Sequence, residues 1–335
     1  MTEGESLPGT VAPSVGTLRA ILLLVHPSDA PPDASVAGPD VFFAAAASWF
    51  RTVSYGRLEF RPETLPRWLS LPATSRAYLA DPPRYLRDAV AAADPFVDFS
   101  QFDVVYLAPA SNTPETATSA ILNSFGVRAD GRDVAFWVPW EAGFATSAGE
   151  PEHLVHETGH LLGLPDLYVL GVPSSFHHWD VMAGGRWPSE LFAWHRWKLG
   201  WLDKRQIVCV TGRTRRVVTL SPLERPGGTK AVFVKRGNRV LALEVRAREG
   251  YDRDRCETGV LVYEVDQTPF RRSPIRLLAP PSSPPRRGCG ELWNAPFRIG
   301  RGEARRLELD LSRFRFELLA RLPDGSYRVR ITARR

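Results

Sequence analysis

A chain of 335 residues is long for one ordinary domain and long enough for two, and 44% hydrophobic with 24% charged residues is a globular composition that can bury a core without a metal or disulfide staple. The net charge of +6 comes from 43 Lys and Arg, nearly all Arg, spread along the chain without a block of like charges, which argues against nucleic acid as a partner. No stretch reaches the roughly 18 apolar residues of a membrane span, and the first sixteen residues lack the basic start and long apolar run of a secretory signal, so the chain is expected to be cytoplasmic or to have lost a leader.

Residues 1–16 are turn-rich and read as a flexible tail. Residues 17–26 form an aliphatic run, the signature of a buried strand. Residues 39–56 carry apolar side chains at helical spacing between Pro39 and the closing Ser54-Tyr55-Gly56. A strand is predicted at 57–65, and a helix at 82–95 that starts with Pro82 and Pro83. Residues 102–110 and 133–140 read as two more strands. A helix opens near Glu150–Pro151, and an amphipathic helix at 188–202 carries Trp194, Trp197 and Trp201. After Lys204 the texture changes to short alternating runs at 205–212, 215–223, 230–237, 239–247, 259–267, 306–312 and 326–335. Regularly spaced short strands predict a sandwich or barrel. The expected division is therefore a tail over 1–16, a mixed α/β domain over 17–204 and an all-β, sandwich-like domain over 205–335. The three cysteines, Cys209, Cys256 and Cys289, are too few for a disulfide framework and lack zinc-knuckle spacing. Cys256 with Cys289 is the pairing favoured if one forms; three free thiols is the alternative.

Residues 153–168 concentrate the chemistry. His156 and His160 are four apart, so a helix puts both imidazoles on one face, within reach of one metal. Glu157 between them can hydrogen-bond a metal-bound water as general base and later pass the proton to a leaving amine. Gly163 can end the helix with a positive φ, and Pro165 opposes its continuation. The chain can then double back and bring Asp166 in as third ligand, leaving a fourth position for water. Glu190, His177 and His178 compete for that third place. A solvated helix with incidental histidines is the alternative. It fits poorly with the leucines and valine around these polar groups, which would need partners if buried.

The pattern His-Glu-x-x-His-x-x-Gly-x-x-Asp, followed by Trp-Asp-Val-Met-Ala-Gly-Gly at 179–185, resembles the metzincin clan of metallopeptidases. More narrowly, stretches at 48–60, 156–168, 177–185, 190–202 and 258–267 resemble, in order, the immune inhibitor A family of bacterial metallopeptidases. The resemblance covers roughly residues 17–265. It implies a metzincin-like catalytic domain, a mixed twisted sheet with an active-site helix, followed by a β-rich domain. It also implies one catalytic Zn2+, Met182 as the Met-turn, and endopeptidase activity on a protein or peptide substrate. Val169 follows Tyr168 where relatives often carry an acid, so an added ion site at that loop does not carry over. Relatives are usually secreted with a leader and pro-segment, neither of which is visible here.

Other residues have weaker roles. His153, one turn before His156, is a candidate to orient a ligand, against a plain surface role. Tyr168 and His178 are candidates to stabilise an oxyanion. His195 reads as a packed core residue. Asp252, Asp254 and Glu257 could hold Ca2+, but a charged turn between strands is the favoured reading, and Asp94 and Asp98 read as caps. The leading expectation is a zinc endopeptidase, monomeric by default, with the substrate strand beside an edge strand. The alternative is a catalytically silent or single-client peptidase-fold binding module.

Overall fold

A computed structural model describes residues 12–32, 41–110, 112–113, 120–121, 127–133, 135–138, 151–168, 179–184, 188–268, 273–280, 289, 292–300, 306–309 and 314–333. It is a mixed α/β protein with several sheets and few helices. The chain divides into two compact units between Leu164 and Pro165. Among the described residues, no helix is long and apolar enough to cross a membrane.

The first unit is built on a five-stranded sheet. Its strands are β1 (Gly16–His26), β2 (Leu58–Ser70), β3 (Val104–Pro109), β4 (Ala120–Ile121) and β7 (Ala135–Val138), in the order β2-β1-β3-β7-β4. A small hairpin, β5 (Arg128–Ala129) with β6 (Arg132–Asp133), stands apart. β1 pairs in parallel with β2 and β3, and β3 with β7; only β4 runs antiparallel, at the edge. β2 runs five residues past the predicted strand and contains Pro62 and Pro66. Prolines are tolerated there because β2 is an edge strand with one side free of ladder bonds.

Alternation along β1 feeds two layers. Ile21, Leu23 and Val25 join a cluster with Tyr78 of helix α2 (Ser75–Ala80) and Tyr85, Leu86, Ala89 and Val90 of helix α3 (Pro82–Ala93). On the other face, Phe60 of β2 meets Phe43 and Phe50 of helix α1 (Val41–Val53) and the ring of Tyr106. Helix α2 falls in a stretch with no predicted element. Thr74 caps it, accepting the Ala77 N–H, and six residues are too few for a periodic signal. Asp98 is a cap as expected, accepting from the Ser100 hydroxyl and N–H, and these bonds hold its carboxyl below the ordinary value. Asp94 is a cap too, the C-cap of α3, its N–H donating to the Val90 carbonyl. The predicted tail is shorter than expected. Ala12 is buried and donates to the Leu161 carbonyl at 2.9 Å.

The second unit holds two sheets. One has the order β13-β12-β11-β10-β8: β8 (Ile207–Val210), β10 (Ala231–Arg236), β11 (Arg239–Arg246), β12 (Gly259–Asp266) and β13 (Ile275–Leu277). The other has the order β14-β15-β16-β9: β9 (Thr214–Leu220), β14 (Arg306–Leu309), β15 (Phe314–Arg321) and β16 (Tyr327–Ala333). Val232, Leu243 and Val262 of the first sheet share one apolar cluster with Val218, Phe316 and Ile331 of the second. The alternating runs at 205–212, 215–223, 230–237, 239–247, 259–267 and 326–335 read as strands for this reason: one face of each contributes to that cluster. Strands β13 and β15 were not anticipated.

The break at Leu164/Pro165 lies forty residues before the boundary expected from texture. The reason is the segment 179–204. Its helix α5 (Ala193–Lys198) buries Trp194 against Phe233 of β10. The Ala193 N–H donates to Glu244 of β11, and the Trp194 N–H to Tyr263 of β12. Helix α5 is also shorter than the predicted 188–202. Residues 188–192 are held extended, because the Phe192 N–H goes to Asp180 and the Glu190 carbonyl accepts from Val181.

Candidate metal centre

Helix α4 (Glu152–Leu161) carries the first two candidate ligands. It packs beside α1, β4 and β7. Its buried side is fastened to the sheet by Thr158, whose hydroxyl lies 2.8 Å from the Tyr106 hydroxyl of β3. That burial pushes the Tyr106 phenol far above its ordinary value, so it stays neutral. Four residues apart, the His156 and His160 rings lie side by side, centroids 4.8 Å apart and nearly perpendicular. Both are largely buried, while Glu157 is partly exposed and His153 is exposed.

The helix ends as its residues dictate. Gly163 takes φ +94°, its N–H returns to the His160 carbonyl, and the Leu164 N–H returns to the Gly159 carbonyl. The Leu164 carbonyl then faces His160 Nδ1 at 2.8 Å. As a donor to that carbonyl, Nδ1 carries the proton and the lone pair is on Nε2, the tautomer a metal ligand needs. Two residues on is Asp166. One ligand atom each from His156, His160 and Asp166 lies within 4.8 Å of the others, the one such grouping of three among the described residues.

These donors fit zinc. Bond lengths of about 2.1 Å in tetrahedral geometry call for ligand separations of roughly 3.4 Å, and small side-chain rotations close the difference. Two imidazoles and one carboxylate are a borderline donor set of catalytic zinc type, with three protein ligands and a place for a fourth.

The competing third ligands fall differently. Glu190 is buried and pairs with the Arg196 guanidinium, so its carboxylate is committed. His177 and His178 lie outside the described residues, as does Val169. Met182 sits in a short 3-10 turn, Val181–Ala183, capped by Asp180 and closed by Gly184 at φ +63°. The turn is tied to the ligand strand, because the Leu167 N–H donates to the Met182 carbonyl at 2.9 Å. Tyr168 lies against Gly184, where a Cβ would come within 3.0 Å of two ring carbons.

Residues 250–259 form the charged turn favoured from the sequence, its acids held in ion pairs. Asp252 is buried between Arg246 and Arg255, and Glu257 pairs with Arg298. Those guanidinium partners already supply the charge a cation would. His195 is in the core, as expected, but it is not merely packed: its Nδ1 meets Asp180 at 2.8 Å. The sequence reading missed Asp180, Glu244 and Arg246, which bind the turn from behind. Asp180 could have been found, because an acid two residues before Met182 has the spacing of a cap. Glu244 and Arg246 gave no signal, since inward charges on a strand break the expected alternation.

No protein-family model matches the chain, and no curated protein matches it in sequence.

Proposed function

We propose that the protein is a zinc-dependent endopeptidase with a metzincin-like catalytic arrangement, in which His156, His160 and Asp166 hold the metal. The observation that carries this reading is the convergence of those three donors, His156 and His160 from the helix that also carries Glu157 and Asp166 from just past its end at Gly163. Bound there, zinc would supply a Lewis acid for the scissile carbonyl and would lower the pKa of a water to about 7.

The rest belongs to the chain's own groups. His160 is oriented by the Leu164 carbonyl at Nδ1, which leaves Nε2 as the atom that can ligate a metal. Glu157 is close in sequence to both imidazoles yet more exposed than either. Its carboxylate takes the proton of the attacking water and delivers it to the leaving amide nitrogen. Strand β4 is the edge of the sheet and packs beside α4. An extended substrate backbone adding to that edge would lie along the helix that carries Glu157.

The test pairs the purified chain with Glu157→Ala, reading bound zinc by mass spectrometry and cleavage of an unstructured protein such as casein. The expected result is one zinc per chain in both, with cleavage lost in the variant. Zinc in both with no cleavage by either would favour a narrow client or a silent binding module. No zinc after titration into metal-free protein would overturn the proposal.

A further inference from the structure

The Asp166 limb has no regular structure of its own. Pro165 follows the helix end, and the Leu167 N–H donates to the Met182 carbonyl. That bond couples the residue after Asp166 to the Met182 turn. That turn is held by the Val181 N–H on the Glu190 carbonyl and, at Met182 itself, by one buried carboxylate. Asp180 Oδ1 accepts the Met182 N–H at 2.8 Å, and Oδ2 accepts the Phe192 N–H at 2.7 Å and His195 Nδ1 at 2.8 Å. Asp180 and His195 are both fully buried.

We propose that Asp180 and His195 are positioning residues for Asp166 and so set the metal affinity of the site. The inference rests on the zinc reading above. An apolar side chain at position 195 would fill a tryptophan-rich helix without the desolvation cost of a buried carboxylate and imidazole. The pair does what no apolar residue can: it fixes both oxygens of Asp180, and through them the turn and its carbonyl. His195 is anchored in turn, because the first N–H of its helix donates to Glu244. Trp179, the residue before Asp180, is held at its carbonyl by Arg246 and at its indole N–H by the Leu292 carbonyl.

The test is zinc affinity by competition with a chelator, on the full chain, with the melting temperature of each metal-free protein alongside. His195→Asn keeps an N–H donor at the place of Nδ1; His195→Gln carries the same amide further out, at the place of Nε2. The Asn variant is expected within about threefold of the parent. The Gln variant is expected to bind zinc at least about tenfold more weakly at a similar metal-free melting temperature, the scale typical of groups that orient metal ligands. Equal affinities for the two would overturn the inference while leaving the zinc site standing. A parent chain that binds no zinc would overturn both. Hydrogen exchange on the parent gives an answer even if neither variant folds. Zinc is expected to slow exchange at the Leu167, Met182 and Phe192 amides together, and unchanged Met182 and Phe192 amides would overturn the coupling.

Discussion

The disulfide between Cys256 and Cys289 joins residues 33 apart in sequence, and its effect on stability follows from that separation. Cross-linking removes loop-closure entropy from the unfolded chain, and a loop of that length corresponds to about 3.7 kcal/mol at room temperature. In a unit running from Pro165 to Arg335, each kcal/mol moves the melting temperature by roughly 2–4 °C, so the bond is worth about 7–15 °C. The perturbation is the double substitution Cys256→Ala with Cys289→Ala, compared with the parent by calorimetry under non-reducing conditions. Cys209 is an exposed free thiol and should be alkylated in every sample. The parent treated with reductant should fall to the temperature of the double variant, and the variant itself should not respond to reductant. A loss under about 2 °C would refute the loop-entropy reasoning, since it would mean the unfolded chain gains almost no freedom when the bond is removed. A fall in the variant on reduction would refute the assignment of the effect to this bond.

Gly163→Ala forces an L side chain into φ +94° and should cost about 1–2 kcal/mol in urea unfolding, together with weaker zinc binding; an unchanged midpoint would mean the turn tolerates another conformation. The Glu224 side chain is buried. Burial, then the Asp252 and Glu190 charges, push its carboxyl well above the ordinary 4.5 despite Arg246 nearby. A raised folded value means stability that is full below 4.5 and lost as pH rises toward the folded value. Glu224→Gln should therefore raise the melting temperature near pH 8 and leave it close to the parent near pH 4, as a thermal scan at both would show. A gain of equal size at both would sink the reasoning.

The parts of the fold legible in the sequence are those whose signal is local. His156, Glu157 and His160 could be read because a helix converts a spacing of four into a shared face. The helix end at Gly163 could be read because few residues take a positive φ. Strands β1, β10, β11 and β12 announced themselves as aliphatic runs. Other features failed for lack of local information. Helix α2 is too short for a period. β2 hides two prolines because only its place at the sheet edge makes them acceptable, and that place is set by pairing with β1. The compact units divide at Leu164/Pro165 whereas texture changes at Lys204, because packing is decided by where Trp194 and Ala193 find partners. That information lies about forty to seventy residues away in β10, β11 and β12.

The buried charges behind the Met182 turn show why such partners escape a pattern-based reading. Glu190, Glu224, Glu244 and Asp252 face Arg196, Lys230, Arg246 and Arg255, and six of the eight are buried residues. A cluster of this kind is a poor source of stability, because desolvating each charge offsets most of the attraction gained. Lys230 shows the cost directly: burial and the Arg196 charge push its ammonium down to about 8. Yet most members also reach a backbone group in a loop or element end. Arg246 binds the Trp179 carbonyl, Arg255 the Pro188 carbonyl, Arg196 the Leu223 carbonyl and Lys230 the Pro222 carbonyl. Glu244 and Glu224 accept from the Ala193 and Ala247 N–H groups. Hydrophobic replacements of equal volume could fill the space but could not hold irregular backbone in register. Two of those backbone groups, at Trp179 and Pro188, flank the turn from which the Asp166 limb hangs. Charge is thus placed where direction matters more than stabilisation, and hydrophobic periodicity carries no trace of it.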